Sequence, residues 1–146
     1  MAFTGNYMCT SFKVALLNGE MDFSSDTSQS FKIALYTSDA TLDATTTAYS
    51  TTNEISGTGY TAGGNTLTIA TSPTSDTGGT VAYLDFSDTT WTSSSLTARG
   101  ALIYKSGGTN PAIAVLDFGA DKTTSSDTFT VTFPTSSATT GIIRIG

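Results

Sequence analysis

Four aspartates stand in two similar stretches. Asp85 and Asp88 lie in "YLDFSDTTW", and Asp117 and Asp121 lie in "AVLDFGADK". If the two "LDF" strands run side by side, these carboxylates approach one another at the strand ends. Oxygen-rich loops can hold calcium, and a carboxylate pair about 5–10 Å apart can hydrolyse a glycosidic bond. Neither loop follows the EF-hand pattern, however. Arg99, in "TARGALIY", places a charge among apolar residues, where it needs a partner. A structural ion pair between Arg99 and Asp85 or Asp117 therefore outweighs a metal or catalytic site. The sequence leaves open which of the two aspartates is used.

The most motif-like run is "SGTGYTAGGN", Ser56 to Asn65, where Gly57, Gly59 and Ala62 fall in the spacing of a dinucleotide-binding loop. That loop must open a helix, whose N-terminal amides meet the pyrophosphate. Here Asn65 leads instead into "TLTIAT", with Leu67 and Ile69 alternating with Thr66 and Thr68, which is a strand pattern. The glycines then read as turn positions.

Other chemistry finds little footing. The chain has no His, so neither a Ser-His-Asp nor a Cys-His arrangement can form. "DFG" at Asp117–Gly119 matches a kinase triplet but lacks the catalytic loop that would accompany it. Cys9, the single cysteine, has no base beside it and cannot form an intramolecular disulfide. No enzymatic activity, cofactor or metal is expected.

The elements that must position these residues are mostly strands. Charged residues make up 12% of the chain and hydrophobic residues 38%, with Thr, Ser and Gly filling the difference. "FKIALYT" alternates Phe31, Ile33 and Leu35 with Lys32, Ala34 and Tyr36, and "FTVTF" alternates Phe129, Val131 and Phe133 with Thr130 and Thr132. Both are half-buried strand patterns. "TVAYLDF", "LTARGALIY" and "AIAVLDF" are more continuously apolar, as inner strands are, and "GIIRI" closes the chain as a strand. Turns fall at Ser75–Gly79, Lys105–Pro111 and Gly119–Asp127. One helix is expected at Ser11–Asn18, capped by Ser11 and stopped by Gly19. The expected fold is one all-β domain over 1–146, an antiparallel β-sandwich or jelly roll, with an N-terminal arm and helix over about residues 1–23.

The net charge of −6, with six scattered basic residues, argues against nucleic-acid binding, which needs clustered cations. The apolar runs are shorter than a membrane span, and the N-terminus lacks the pattern of a signal peptide. Synthesis in a reducing cytoplasm is expected.

"SFKVALLNGEMDF", "FKIALYTSDATLDATTTAYSTTNEISGTGYTAGGNTLT", "YLDFSDTTW", "TARGALIYK", "AVLDFGADK" and "IIRI", in that order, span nearly the whole chain. Together they resemble small virion proteins of tailed bacteriophages, cyanophages included, that are similar to capsid cement or decoration proteins. The resemblance implies a protein made in the host cytoplasm that binds the outer surface of the major capsid shell and stabilises it. Its implied partners are the major capsid protein and itself, as a homotrimer ahead of a homodimer, and no catalytic residue is carried over. A tail or head-fibre component is the alternative within the resemblance. A carbohydrate-binding β-sandwich using Trp91 and exposed tyrosines is the alternative outside it.

Long ordered loops on a β-body are often binding loops. The expected interface accordingly includes Tyr49 and Tyr60 of the "TTAYSTTNEISGTGYTAGGN" connection, with Phe3, Tyr7 and Trp91 as apolar contacts between subunits.

Overall fold

The computed structural model describes residues 3–146. Its strands are β1 (Tyr7–Met8), β2 (Ser30–Tyr36), β3 (Asn65–Leu67), β4 (Ile69–Ser75), β5 (Ala82–Phe86), β6 (Thr89–Ser94), β7 (Thr97–Ser106), β8 (Ala112–Thr123), β9 (Asp127–Val131) and β10 (Ile143–Ile145). The helix α1 spans Thr10–Leu17. All pairings between these strands are antiparallel. A five-stranded sheet runs β1-β8-β7-β2-β3, a three-stranded sheet β10-β5-β4, and β6 pairs with β9. The fold is all-β and sandwich-like, as the alternating and apolar runs predict.

Aromatic side chains join the layers. Phe31 of β2 stacks on Phe23 at 4.5 Å, and both rings meet Phe86 of β5, at 6.1 and 6.3 Å. Phe12 of α1 and Phe133 complete this cluster through Phe23 and Phe86. Each such ring removes a large apolar area from water, and offset or edge contacts add a further increment.

β2 departs from the half-buried pattern. Ala34 and Tyr36 are buried together with Phe31, Ile33 and Leu35. The strand sits between β7 and β3, and Tyr36 donates its hydroxyl to Ser50 O at 2.6 Å, so its second face is covered by the long connection that follows.

The helix also starts differently from expectation. Cys9, not Ser11, occupies the N-cap position and makes no side-chain cap. The Cys9 amide instead donates to Ile113 O at 2.9 Å, continuing the β1–β8 ladder into the first turn. Ser11 Oγ donates to Thr46 O. The stop falls where the sequence places it. Gly19 has a φ of +73°. Its amide donates to Leu16 O and that of Glu20 to Ala15 O, the two bonds of a Schellman motif. Cys9 is fully buried, and burial, aided by the charge of Asp43, pushes its thiol up to about 11. It is held as an unreactive thiol.

β6 and β7 follow one another directly, as do β8 and β9. Ser94 pairs with Asp127 and Thr97 with Thr123 across the two connections, and Thr124 N donates to Leu96 O at 2.8 Å. The four strands thus form one two-stranded ribbon that bends from the large sheet into the β6–β9 pair. Next to the bend, Ala98 pairs with Lys122 and Gly100 with Asp117, so Arg99 alone faces Phe118 to Asp121 in a large bulge of β8.

Gly100 explains how the chain start is held. A Cβ there would lie 2.3 Å from Phe3 Cε1 and 2.5 Å from Leu116 O. The bare backbone lets the Phe3 ring lie directly against β7, where it is 1% exposed.

Candidate functional site

The connection from Thr37 to Gly64 carries no strand of its own, yet it is tied to the sheet along its length. Thr37 donates to Asn53 O, Ile55 to Leu35 O, Tyr49 to Asn110 O and Ala112 to Thr47 O, all between 2.9 and 3.0 Å. Single bridges join Tyr36 to Glu54, Ala48 to Pro111 and Thr58 to Ser95. Within it, Asp43 Oδ1 accepts from the amide and hydroxyl of Thr45, at 2.7 and 2.6 Å, which holds the Asp43 carboxyl below its ordinary value.

Glu54 is the knot of this connection. Its carboxylate accepts from Tyr49 Oη at 2.7 Å, from Tyr60 Oη at 2.6 Å and from the Gly63 amide at 2.7 Å. The Tyr60 oxygen in turn accepts from the Leu35 amide of β2 at 2.9 Å. Around this carboxylate, Tyr104 donates to Gly63 O at 2.8 Å and its ring stacks on Tyr49 at 4.6 Å. Burial, together with the Glu54 charge, raises the phenol pKa of Tyr36, Tyr49, Tyr60 and Tyr104. The four hydroxyls therefore remain protonated donors across the physiological range. Two of them, those of Tyr49 and Tyr60, donate to the Glu54 carboxylate, and hydrogen bonds to a charged acceptor are about twice as strong as neutral ones. The cluster is a lock: its donors and its carboxylate satisfy one another.

The opening of β3 depends on a close approach. Gly64 has a φ of +70°, and a Cβ there would lie 1.8 Å from Ile33 O. The glycine run is a turn that feeds a strand, as its sequence implies, and no helix follows it.

One side of the connection is open to solvent, while Ala40 and Ile55 are buried beneath it. Asp39, Thr41, Asp43, Thr45 and Thr47, and then Ser50 to Asn53, are exposed. This surface is polar and dominated by hydroxyls.

The expected interface residues divide by location. Phe3 and Trp91 are 1% and 4% exposed, so both side chains are spent in the chain's own core. Trp91 packs on Tyr60 and Phe129, with ring centroids at 6.0 Å in each case, and presents no stacking face to a sugar. A lone Trp in "DTTWTSSS" carries no sign of which way it points. Tyr49 and Tyr60 are half-buried and turned inward onto Glu54. They shape the loop from beneath and do not form its outer face. Tyr7 is half-buried, with its hydroxyl 2.8 Å from Thr4 Oγ1. Sequence reasoning missed Glu54. The available signal was that Glu54 is the one charged residue of the stretch from Thr46 to Asn65, flanked by Tyr49 and Tyr60.

Of the two aspartates open to Arg99, Asp117 is the partner, with Nε to Oδ1 at 3.6 Å and both side chains about four-fifths buried. The two "LDF" strands do not lie side by side: β5 runs between β10 and β4, and β8 between β1 and β7. Asp88 Oδ1 accepts from the Phe133 amide at 2.8 Å and anchors the end of β9. Among the described residues, no group of three or more Cys, Asp or Glu is arranged to hold a metal ion.

Asp85 is 5% exposed, and its carboxylate accepts from the adjacent Phe86 amide. Burial, helped by the charge of Asp88, raises its carboxyl from 3.8. A raised folded-state value means that Asp85 favours the fold when protonated, and that this contribution is lost as pH rises through the raised value. Asp85→Asn is therefore expected to gain stability over the parent as pH climbs above about 4, with no gain at lower pH. Urea midpoints of both proteins from pH 3 to 7 read this directly, and a difference that does not change with pH would refute it.

No family model matches this chain, and neither a curated protein nor a solved structure matches it.

Proposed function

We propose that this protein is a capsid decoration protein of a tailed bacteriophage, binding the outer surface of the major capsid shell and stabilising it. The observation that carries this reading is the Thr37–Gly64 connection. It is long, ordered by the Glu54 lock, and turns a hydroxyl-rich face outward from a rigid antiparallel body. A surface that binds through many neutral hydrogen bonds keeps its hold as salt rises, unlike one built on exposed ion pairs. The resemblance of its sequence blocks, in their order, to small virion proteins of tailed bacteriophages supports the same reading. Closed symmetry suits sites where capsomers meet, so the protein acts as a homotrimer, with a homodimer as the alternative.

The test has two parts. The molar amount of this protein in purified virions should stand in a simple ratio to the major capsid protein; a trace amount would favour a tail or head-fibre component instead. The paired variant Thr41→Arg/Thr51→Arg changes two exposed side chains. Surface changes of this kind leave stability within about 0.5 kcal/mol. Retention on virions should nevertheless fall at least tenfold. Full retention of that variant would remove the connection from the contact.

A further inference from the structure

The bend of the ribbon leaves a groove of about 370 Å³ along its outer edge, lined among others by Phe118, Lys122, Thr128, Thr130, Val131 and Thr132. The rings of Phe118 and Phe129 meet across it, with centroids at 6.3 Å. One wall is the bulged half of β8 and the other is β9, whose ladder partner is β6.

Backbone geometry fixes which way β9 presents its amides. The Phe133 amide donates to Asp88, the residue that directly precedes β6, so odd positions of this stretch turn toward β6. Alternation along a strand then turns the amides of Thr128, Thr130 and Thr132 outward. The Thr128 amide is taken by Asp127 Oδ1 at 2.7 Å. Those of Thr130 and Thr132 meet no side-chain acceptor among the described residues. Charged side chains and proline are among the devices that blunt such edges, and Thr128 to Val131 carry neither.

We propose that the outer edge of β9 accepts an extended, acidic peptide strand from another polypeptide, which adds to the ribbon by β-augmentation. Outward backbone donors at every second residue match the acceptors of an extended chain, and this main-chain pairing supplies affinity. Lys122, the charged residue in the groove lining, sets the preference for a carboxylate, and Phe118 takes an apolar side chain. The remaining polar side chains of the lining are threonine hydroxyls. They lack the carboxylate, amide or guanidinium forks that would orient a sugar. β9 and its groove make up the whole of this site, whichever face of the protein contacts a shell.

The probe is an acetylated, amidated heptapeptide of alternating Val and Thr with Asp at each end, titrated into the isotope-labelled protein and followed by amide chemical shifts. Saturable shifts confined to Phe118–Thr124 and Thr128–Thr132 are expected. The same peptide N-methylated at every amide should bind at least tenfold more weakly. Lys122→Glu, an exposed change, should weaken the Asp-ended peptide and strengthen a Lys-ended one. Absence of saturable shifts at millimolar peptide overturns the proposal, as does equal binding of the methylated peptide. A response to a panel of monosaccharides without one to the peptide also overturns it, and makes the groove a glycan site.

Discussion

Gly64→Ala is expected to cost more stability than any other single methyl added to this protein's turns, about 4 kcal/mol or more, which is the range of exceptional, mechanism-specific losses. The new Cβ would sit 1.8 Å from Ile33 O, 2.7 Å from Ile33 C and 2.8 Å from Ala34 Cα. All three are backbone atoms of β2, an inner strand of the five-stranded sheet, so no rotamer can relieve the overlap. The β2–β3 pairing, Ile33 with Asn65 and Phe31 with Leu67, would have to open instead. Gly78→Ala is the control. Gly78 has a similar φ of +74°, but an added Cβ there would meet nothing within 4 Å. It bears the left-handed strain alone, which costs about 1–2 kcal/mol. Urea midpoints of the two variants separate overlap from strain. Equal losses would mean that the approach of Gly64 to β2 contributes nothing.

Glu54→Ala should be nearly as damaging, but locally. It leaves two phenol hydroxyls and the Gly63 amide without their acceptor. An unsatisfied group of this kind costs about 1–3 kcal/mol. Partial exposure of the cluster lets water replace some of these bonds, so a total of about 3 kcal/mol is expected. Glu54→Gln keeps one acceptor oxygen and should lose about half as much. The diagnostic readout is hydrogen exchange. Protection should fall at Leu35, Ile55 and Gly63, whose amides belong to the lock and its tethers, while the β7–β8 amides keep theirs. Uniform loss across the whole chain would show instead that the connection and the sheet unfold as one unit.

Much of this architecture is legible in the chain itself. The period-two runs at Phe31–Tyr36 and Phe129–Val131 become strands because alternating apolar residues can line one face of a sheet, and in β2 the other face is covered as well. The glycine-rich run could be assigned to a turn because "TLTIAT" beyond it alternates. Where sequence reasoning fell short, the missing information was tertiary. That Ala34 and Tyr36 are buried depends on the later connection folding back over β2. That the helix begins after Cys9 depends on a ladder partner far along the chain, at Ile113. The two "LDF" stretches look alike but serve different sheets, so neither could identify the partner of Arg99. Tyr60 shows the same limit at the site: its place in the long connection was plain, but only the packing shows it pointing inward to Glu54.

The position of Trp91 has an optical consequence. It is the one tryptophan of the chain, and its ring lies between Tyr60 of the lock and Phe129 of the β9 groove. Its indole N–H is buried and meets no acceptor among the described residues, an apolar setting that favours emission toward the blue. A single indole therefore touches both the lock beneath the long connection and a ring lining the groove beside β9. Loosening of the lock, as in Glu54→Ala, is therefore expected to move its emission toward the red, a readout that needs no label.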